Sequence, residues 1–100
     1  MLTSKQRAQL RSMASNEDTI VIIGKGGITE NVVAQVNDAL RSRELVKGKV
    51  LETSLLTAKE ACGALSEMCG AEPVQFIGSK FVLYKENRQL DKEKRIKLVK

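Results

Sequence analysis

Residues 19–43 read TIVIIGKGGITENVVAQVNDALRSR. A β-branched run, a glycine-rich loop and a helix-periodic segment follow one another without a break. The run TIVII suits a strand, and its unbroken apolar character predicts one buried on both faces. Thr29 is a natural cap for a helix reaching about Arg43, and Glu30 falls in its first turn, where the helix dipole favours an acid. Val32, Val33, Val36, Ala39 and Leu40 recur at helical spacing, and Arg41 and Arg43 close the last turn, where cations are favoured. Strand, loop and helix in this order open a β-α-β unit and place the chain in the α/β class.

The elements on either side extend that reading. A helix is expected over about residues 4–14, with Thr3 and Gln6 as a capping box. Leu10, Met13 and Ala14 form its apolar stripe, and Lys5, Arg7 and Arg11 are expected to face solvent. Residues 45–51 read as the second strand, with Lys47 and Lys49 on one face and Val46, Gly48 and Val50 on the other. Thr57 and Glu60 make a second capping box. They open a helix through Ala58, Ala61, Cys62, Leu65 and Met68 that Gly70 ends. Residues 73–77 and 81–85 are the last strands, joined by a tight turn at Gly78, Ser79 and Lys80. The order α-β-α-β-α-β-β predicts a mixed four-stranded sheet packed with helices, its β-α-β units parallel and its final hairpin antiparallel.

The 100 residues fit one domain, residues 1–100, with no repeat and no linker. A basic tail starts at about residue 86. It either docks as a short edge strand through Ile96, Leu98 and Val99 or stays disordered. No apolar stretch is long enough to cross a bilayer, and MLTSKQRAQLRSM lacks the apolar centre of a signal peptide. A cytoplasmic monomer is expected, away from membranes.

Lys and Arg total 17 against 12 Asp and Glu, a net charge of +5, with no histidine. The charge is uneven: +3 over residues 1–50, −2 over 51–84 and +4 over 85–100. A basic protein with a separated acidic portion suits a polyanionic partner, although a solvated surface with a basic tail has the same composition. Catalysis has little support. The commonest general base is absent, and Glu17, Asp18, Glu30, Glu52, Glu60, Glu67 and Glu72 form no recognisable catalytic pair. Cys62 and Cys69, ~10 Å apart along one helix, are too far apart to bridge and too few to hold zinc, so they read as reduced core residues. No metal or cofactor is expected.

The loop Gly24, Lys25, Gly26, Gly27 is where chemistry is most legible. It follows a strand and precedes a capped helix, so free backbone N–H groups and the positive end of the dipole face whatever lies there. Both nucleotide-binding motifs fail: position 29 is Thr where G-x-G-x-x-G needs glycine, and no Gly-Lys-Ser/Thr follows. What remains is G-x-x-G, the short loop with which KH-type modules clamp a nucleic-acid backbone. A tight strand-to-helix turn needing positive φ accounts for the same residues. Lys5, Arg7, Arg11, Arg41, Arg43, Lys47, Lys49, Lys80 and Arg88 could join Lys25 in one basic face. Lys47 and Lys49, together on one face of an internal strand, imply that apolar helix does not fully cover that face; it is either an open, basic RNA platform or simply the wet side of a two-layered sheet. Phe76, Phe81 and Tyr84 are the only aromatics, so base stacking is a minor mode, and Tyr84 either stacks a base or packs into the fold.

Four stretches together carry a family resemblance: LTSKQRAQLRSMA, IVIIGKGGITENVVAQVNDAL, ELVKGKV and VQFIGSKFVLYKEN. Over about residues 2–98 the chain resembles a YhbY-type stand-alone CRM domain (chloroplast RNA splicing and ribosome maturation). The glycine loop followed by Ile-Thr-Glu and the I-G-x-x-x-V-L-Y hairpin weigh most. The resemblance implies a fold similar to the C-terminal domain of translation initiation factor three. It also implies binding of RNA, ribosomal RNA of large-subunit precursors, through the G-x-x-G loop at Gly24, Lys25, Gly26 and Gly27 and the basic surface around it. Gly48 stands where many relatives carry an apolar residue, which would loosen the second strand. A protein-interaction adaptor docking on ribosomal proteins and a small-molecule phosphate or nucleotide binder are the competing readings.

Overall fold

The computed structural model describes residues 2–99. Seven elements run in the order α1 (Ser4–Ala14), β1 (Val21–Ile23), α2 (Glu30–Arg43), β2 (Leu45–Val50), α3 (Ala58–Cys69), β3 (Glu72–Ile77) and β4 (Lys80–Tyr84). The helix starts are fixed by their caps. Thr3 and Thr57 each accept the N–H of the residue three on, and Gln6 and Glu60 return the bond to the cap backbone. That bond holds the Glu60 carboxyl below its usual pKa. Thr29 accepts the N–H of Val32.

The sheet order is β1-β2-β4-β3. β2 runs parallel to β1, as a β-α-β crossover requires, and β4 is antiparallel to both β2 and β3. On one face α2 and α3 cover Val21, Ile23, Val46, Val50, Phe81 and Leu83. On the other, α1 lays Leu10 and Ala14 on Leu45, Val74, Val82 and Tyr84. Cys62 and Cys69 are free and buried, and burial pushes both thiols up in pKa. Among the described residues no helix is long and apolar enough to cross a membrane.

Five expectations are corrected. TIVII does not form a doubly buried strand: β1 keeps only residues 21–23, and Ile22 is 54% exposed between buried Val21 and Ile23. As an edge strand, β1 has a helix layer over one face only at that point. On α3 the last apolar contact is Cys69, because 58, 61, 62, 65 and 69 share one face; Met68 flanks it and is 60% exposed. Arg7 does not face solvent freely but is half-buried on α1, one turn before Leu10. The second sheet face is not open, since α1 covers most of it. Gly48 does not loosen β2 either. A Cβ there would stand 2.7 Å from two ring carbons of Phe81 and nearer still to Cζ, so the fully buried ring occupies the space a side chain would need.

The last turn of α2 ends on Glu44, a non-glycine residue at φ 61°. Its side chain is fully buried, and its carboxylate accepts the N–H of Asn87 and of Ile96, each at 2.6 Å. Those bonds fold the segment after β4 back over the molecule, and Ile96 and Leu98 pack against the α1 core. Gln9 seals it: its amide donates to Lys97 O at 2.7 Å and its oxygen accepts from Val99 N at 2.8 Å. The tail is therefore neither an edge strand nor detached.

Tyr84 packs into the α1 core, and burial, with the Glu44 and Glu86 charges, pushes its pKa up to about 12. The neutral phenol is thus favoured in the folded state. Its contribution is complete below the ordinary value of 10 and is lost as pH rises through about 12. Alkaline unfolding followed by circular dichroism should show this loss, and Tyr84→Phe should diminish it. Gly48→Ala should cost about 1–3 kcal/mol in denaturant melts through overpacking, and Phe81→Leu in the same chain should recover part of that loss. Glu44→Ala should free the tail, read as faster amide exchange at Asn87 and Ile96, at a cost of about 3 kcal/mol for two lost charge-assisted bonds.

Candidate nucleic-acid interface

The glycine loop leaves β1 at one end of the sheet, and topology gathers other features there. β1 and β2 both finish at this end, and the β3–β4 turn docks beside them through Val50 N–H to Ser79 O at 2.7 Å. α2 and α3 both begin here, so two helix N-termini lie on this end. Within the loop, Gly27 N–H bonds Gly24 O at 3.0 Å, closing a turn, and Gly27 has φ +70°. Only Gly27 is required by that turn. A Cβ at Gly24 or Gly26 would meet neighbours no closer than 3.5 Å, so the fold has room for a side chain at both. Their bareness leaves backbone open to an approaching group. Lys25, at the tip, is exposed and makes no hydrogen bond or ion pair with any described residue.

The strand register extends this site. Ile22 pairs with Lys49, Lys49 with Lys80, and Lys80 with Ile77, so one row crosses all four strands beside the loop. All four side chains are exposed. They lie on the face that α1 covers only in part, since their in-strand neighbours Val21, Val50 and Phe81 point into the α2–α3 core. Adjacent strands are ~4.8 Å apart, so the row is ~14 Å long, with two lysines at its centre and an isoleucine at each end. Like charges directly opposite one another destabilise a sheet. Neither lysine has an acidic partner among the described residues.

α1 brings further cations to the same side. Arg11 borders a small cleft with Lys47 and Lys80. Lys47 is half-buried and donates to Ala14 O at 3.3 Å, at the C-terminal end of α1. Arg7 lies one turn earlier, its Nε enclosed without a hydrogen-bond partner. Lys5 is exposed and six residues before Arg11, ~9 Å along the helix. Arg41 and Arg43 are not part of this assembly. They sit at the far end of α2, ~20 Å from its N-terminus, and are paired locally, Arg41 with Asp38 and Arg43 with Glu17. Arg88 is likewise paired, with Glu86. The candidates thus divide: Lys25, Lys49, Lys80 and Arg11 have no acidic partner among the described residues, Arg41, Arg43 and Arg88 are each paired with an acid at the other end, and Lys5 and Arg7 lie on the part of α1 that runs toward that other end.

Some features escaped the sequence. Ile22 looked like core, and Lys80 like a turn residue. Gln75, whose side-chain amide has no partner among the described residues, carried no signal.

Residues 2–85 match the CRS1/YhbY (CRM) domain. The chain is similar to the Probable RNA-binding protein YqeI of Bacillus subtilis, 39% identical over 89% of this chain and 93% of that protein. It is similar to a Haemophilus influenzae protein named RNA-binding protein, 33% identical over 88% of this chain and 89% of that one. The solution structure of the hypothetical protein SAV1595 from Staphylococcus aureus superposes with a TM-score of 0.71 at 43% identity, covering 99% of this chain and 100% of that one. The matched span contains the loop, both lysine-bearing strands and the hairpin. The chain belongs to the CRS1/YhbY (CRM) domain family.

Proposed function

We propose that the protein is a non-catalytic RNA-binding module that acts on ribosomal RNA in precursors of the large ribosomal subunit. The observation that carries the binding reading is the Lys49–Lys80 pair, set opposite one another without ion-pair partners beside a loop that is bare of side chains at Gly24 and Gly26. Such a local conflict is expected where function outweighs stability. The Gly26 amide and the Lys25 ammonium would hold one phosphate at the start of α2, while the Gly27 N–H, bonded to Gly24 O, keeps the turn closed. Lys49 and Lys80 would take the next, and Arg11, Arg7 and Lys5 would continue the track along α1. RNA binding also agrees with the names of the relatives. The large-subunit assignment follows from the resemblance set out at the start.

An adaptor that binds ribosomal proteins is the second reading, favoured by Met68 and Phe76, which are 60% and 49% exposed on the α3 side, off the basic face. Nuclease treatment of a pull-down separates the two, because an adaptor keeps its partner once RNA is digested.

Affinity for a structured ribosomal RNA fragment, measured by fluorescence anisotropy across salt, should fall with a log–log slope of about −4. Lys25→Ala should weaken binding to all sequences and reduce that slope by ~1. Lys80→Glu should weaken binding further, yet leave thermal stability unchanged or raised by a few tenths of a kcal/mol, because it converts a like-charge cross-strand pair into an opposite one. A salt-independent Kd would contradict the mechanism.

A further inference from the structure

A cleft of about 140 Å³ lies between the C-terminal turn of α1 and the hairpin end of the sheet. Its walls include Ile77 and Val82, its rim carries Arg11, Lys47 and Lys80, and Gln75 reaches into the same space. No acidic side chain lines it. The volume is below that of pockets for whole drug-sized ligands, ~300 Å³ and upward, and suits a single ring system. An apolar slot with a cationic rim and one free amide is a combination that a bare phosphate track does not need. Phosphates ask only for charge at the surface, whereas the slot offers apolar walls at Ile77 and Val82 for something flat and apolar that arrives attached to anions.

We propose that this cleft receives one unpaired base of the RNA. The ring would lie against Ile77 and Val82, and its polar edge would meet the Gln75 amide, which can both donate and accept. The phosphates flanking it would fall to Arg11 and Lys80, and the Arg11 guanidinium plane would cover the open side of the ring. Lys80 belongs both to this rim and to the row beside the glycine loop, so the seated base and the clamped backbone are neighbours along one strand. Bases inside an uninterrupted duplex cannot enter, and the protein therefore prefers RNA with a bulge, loop or splayed end. This proposal rests on the RNA-binding reading of the same face.

The test is anisotropy with two RNA hairpins whose stems are closed by the same non-nucleotide linker, matched in charge to within one phosphate, one fully paired and one with a single-nucleotide bulge carrying 2-aminopurine. The wild-type protein should bind the bulged RNA roughly tenfold more tightly. The 2-aminopurine emission should change on binding as the base leaves its stack. Gln75→Leu, which alters no charge, should reduce the preference to about twofold or less and keep the affinity for the paired hairpin. Lys25→Ala should weaken both RNAs by the same factor. Should Gln75→Leu fail to fold, the wild-type preference and the 2-aminopurine signal still decide the matter. Equal, salt-dependent affinity for both hairpins with unchanged emission would overturn the base-slot proposal and leave RNA binding standing. Absence of salt-dependent binding to either hairpin would overturn RNA binding itself.

Discussion

Phe81 lies with its ring against the backbone of Gly48, where β4 meets β2. The ring is fully buried beneath α2 and α3, and the missing side chain of Gly48 is the space it fills. A contact of this kind pins register, because a slip of one residue would turn every side chain of the strand to the other face. With Phe81 held on Gly48, the next pair along is Lys49 opposite Lys80. The apolar joint on one face therefore sets the basic pair on the other. The order β1-β2-β4-β3 then carries the row outward to Ile22 and Ile77 and leaves the glycine loop at its edge.

The two ends of the molecule are built on different electrostatics. At the end where α2 finishes, charges are consumed internally. Glu44 binds two backbone amides, Glu17 and Asp38 hold Arg43 and Arg41, and Glu86 meets Arg88 and Arg95. Exposed pairs of this sort are worth little energy, but they cancel the local field. The tail, though rich in Lys and Arg, spends Arg95 in this way and is fastened over α1 through Gln6 and Gln9. At the other end Lys25, Lys49, Lys80 and Arg11 find no acid among the described residues. An anion approaching this end meets cations without ion-pair partners and two helix N-termini, with Glu30, Glu52 and Glu60 exposed around them.

Much of this was legible in the sequence wherever local chemistry decides structure. Thr3 with Gln6, Thr57 with Glu60 and Thr29 by itself marked the three helix starts, and Gly70 placed a helix end at φ +63°. The glycine loop announced its position between strand and helix. What escaped were properties set by neighbours far along the chain. Whether Ile22 is core or surface depends on β1 being an edge strand. Lys80 became a strand residue only because Lys49 stands opposite it. Gly48 could be understood only once Phe81, 33 positions away, was seen to occupy its place. Glu44 gave no signal at all: a glutamate at a left-handed helix end is explained by the amides of Asn87 and Ile96, which lie 43 and 52 positions further along the chain.

The central claim is that RNA is met by the glycine-loop end and not by the basic residues at the other end of α2. Titrating isotope-labelled protein with a structured RNA and following backbone amide chemical shifts tests this most directly. The shifts should concentrate at Lys25, Gly26, Gly27, Lys49 and Lys80 and spread to Arg11 and Gln75. Amides at Arg41, Arg43 and Arg88 should stay in place. Shifts clustered at those three arginines, with the glycine loop unmoved, would contradict the account.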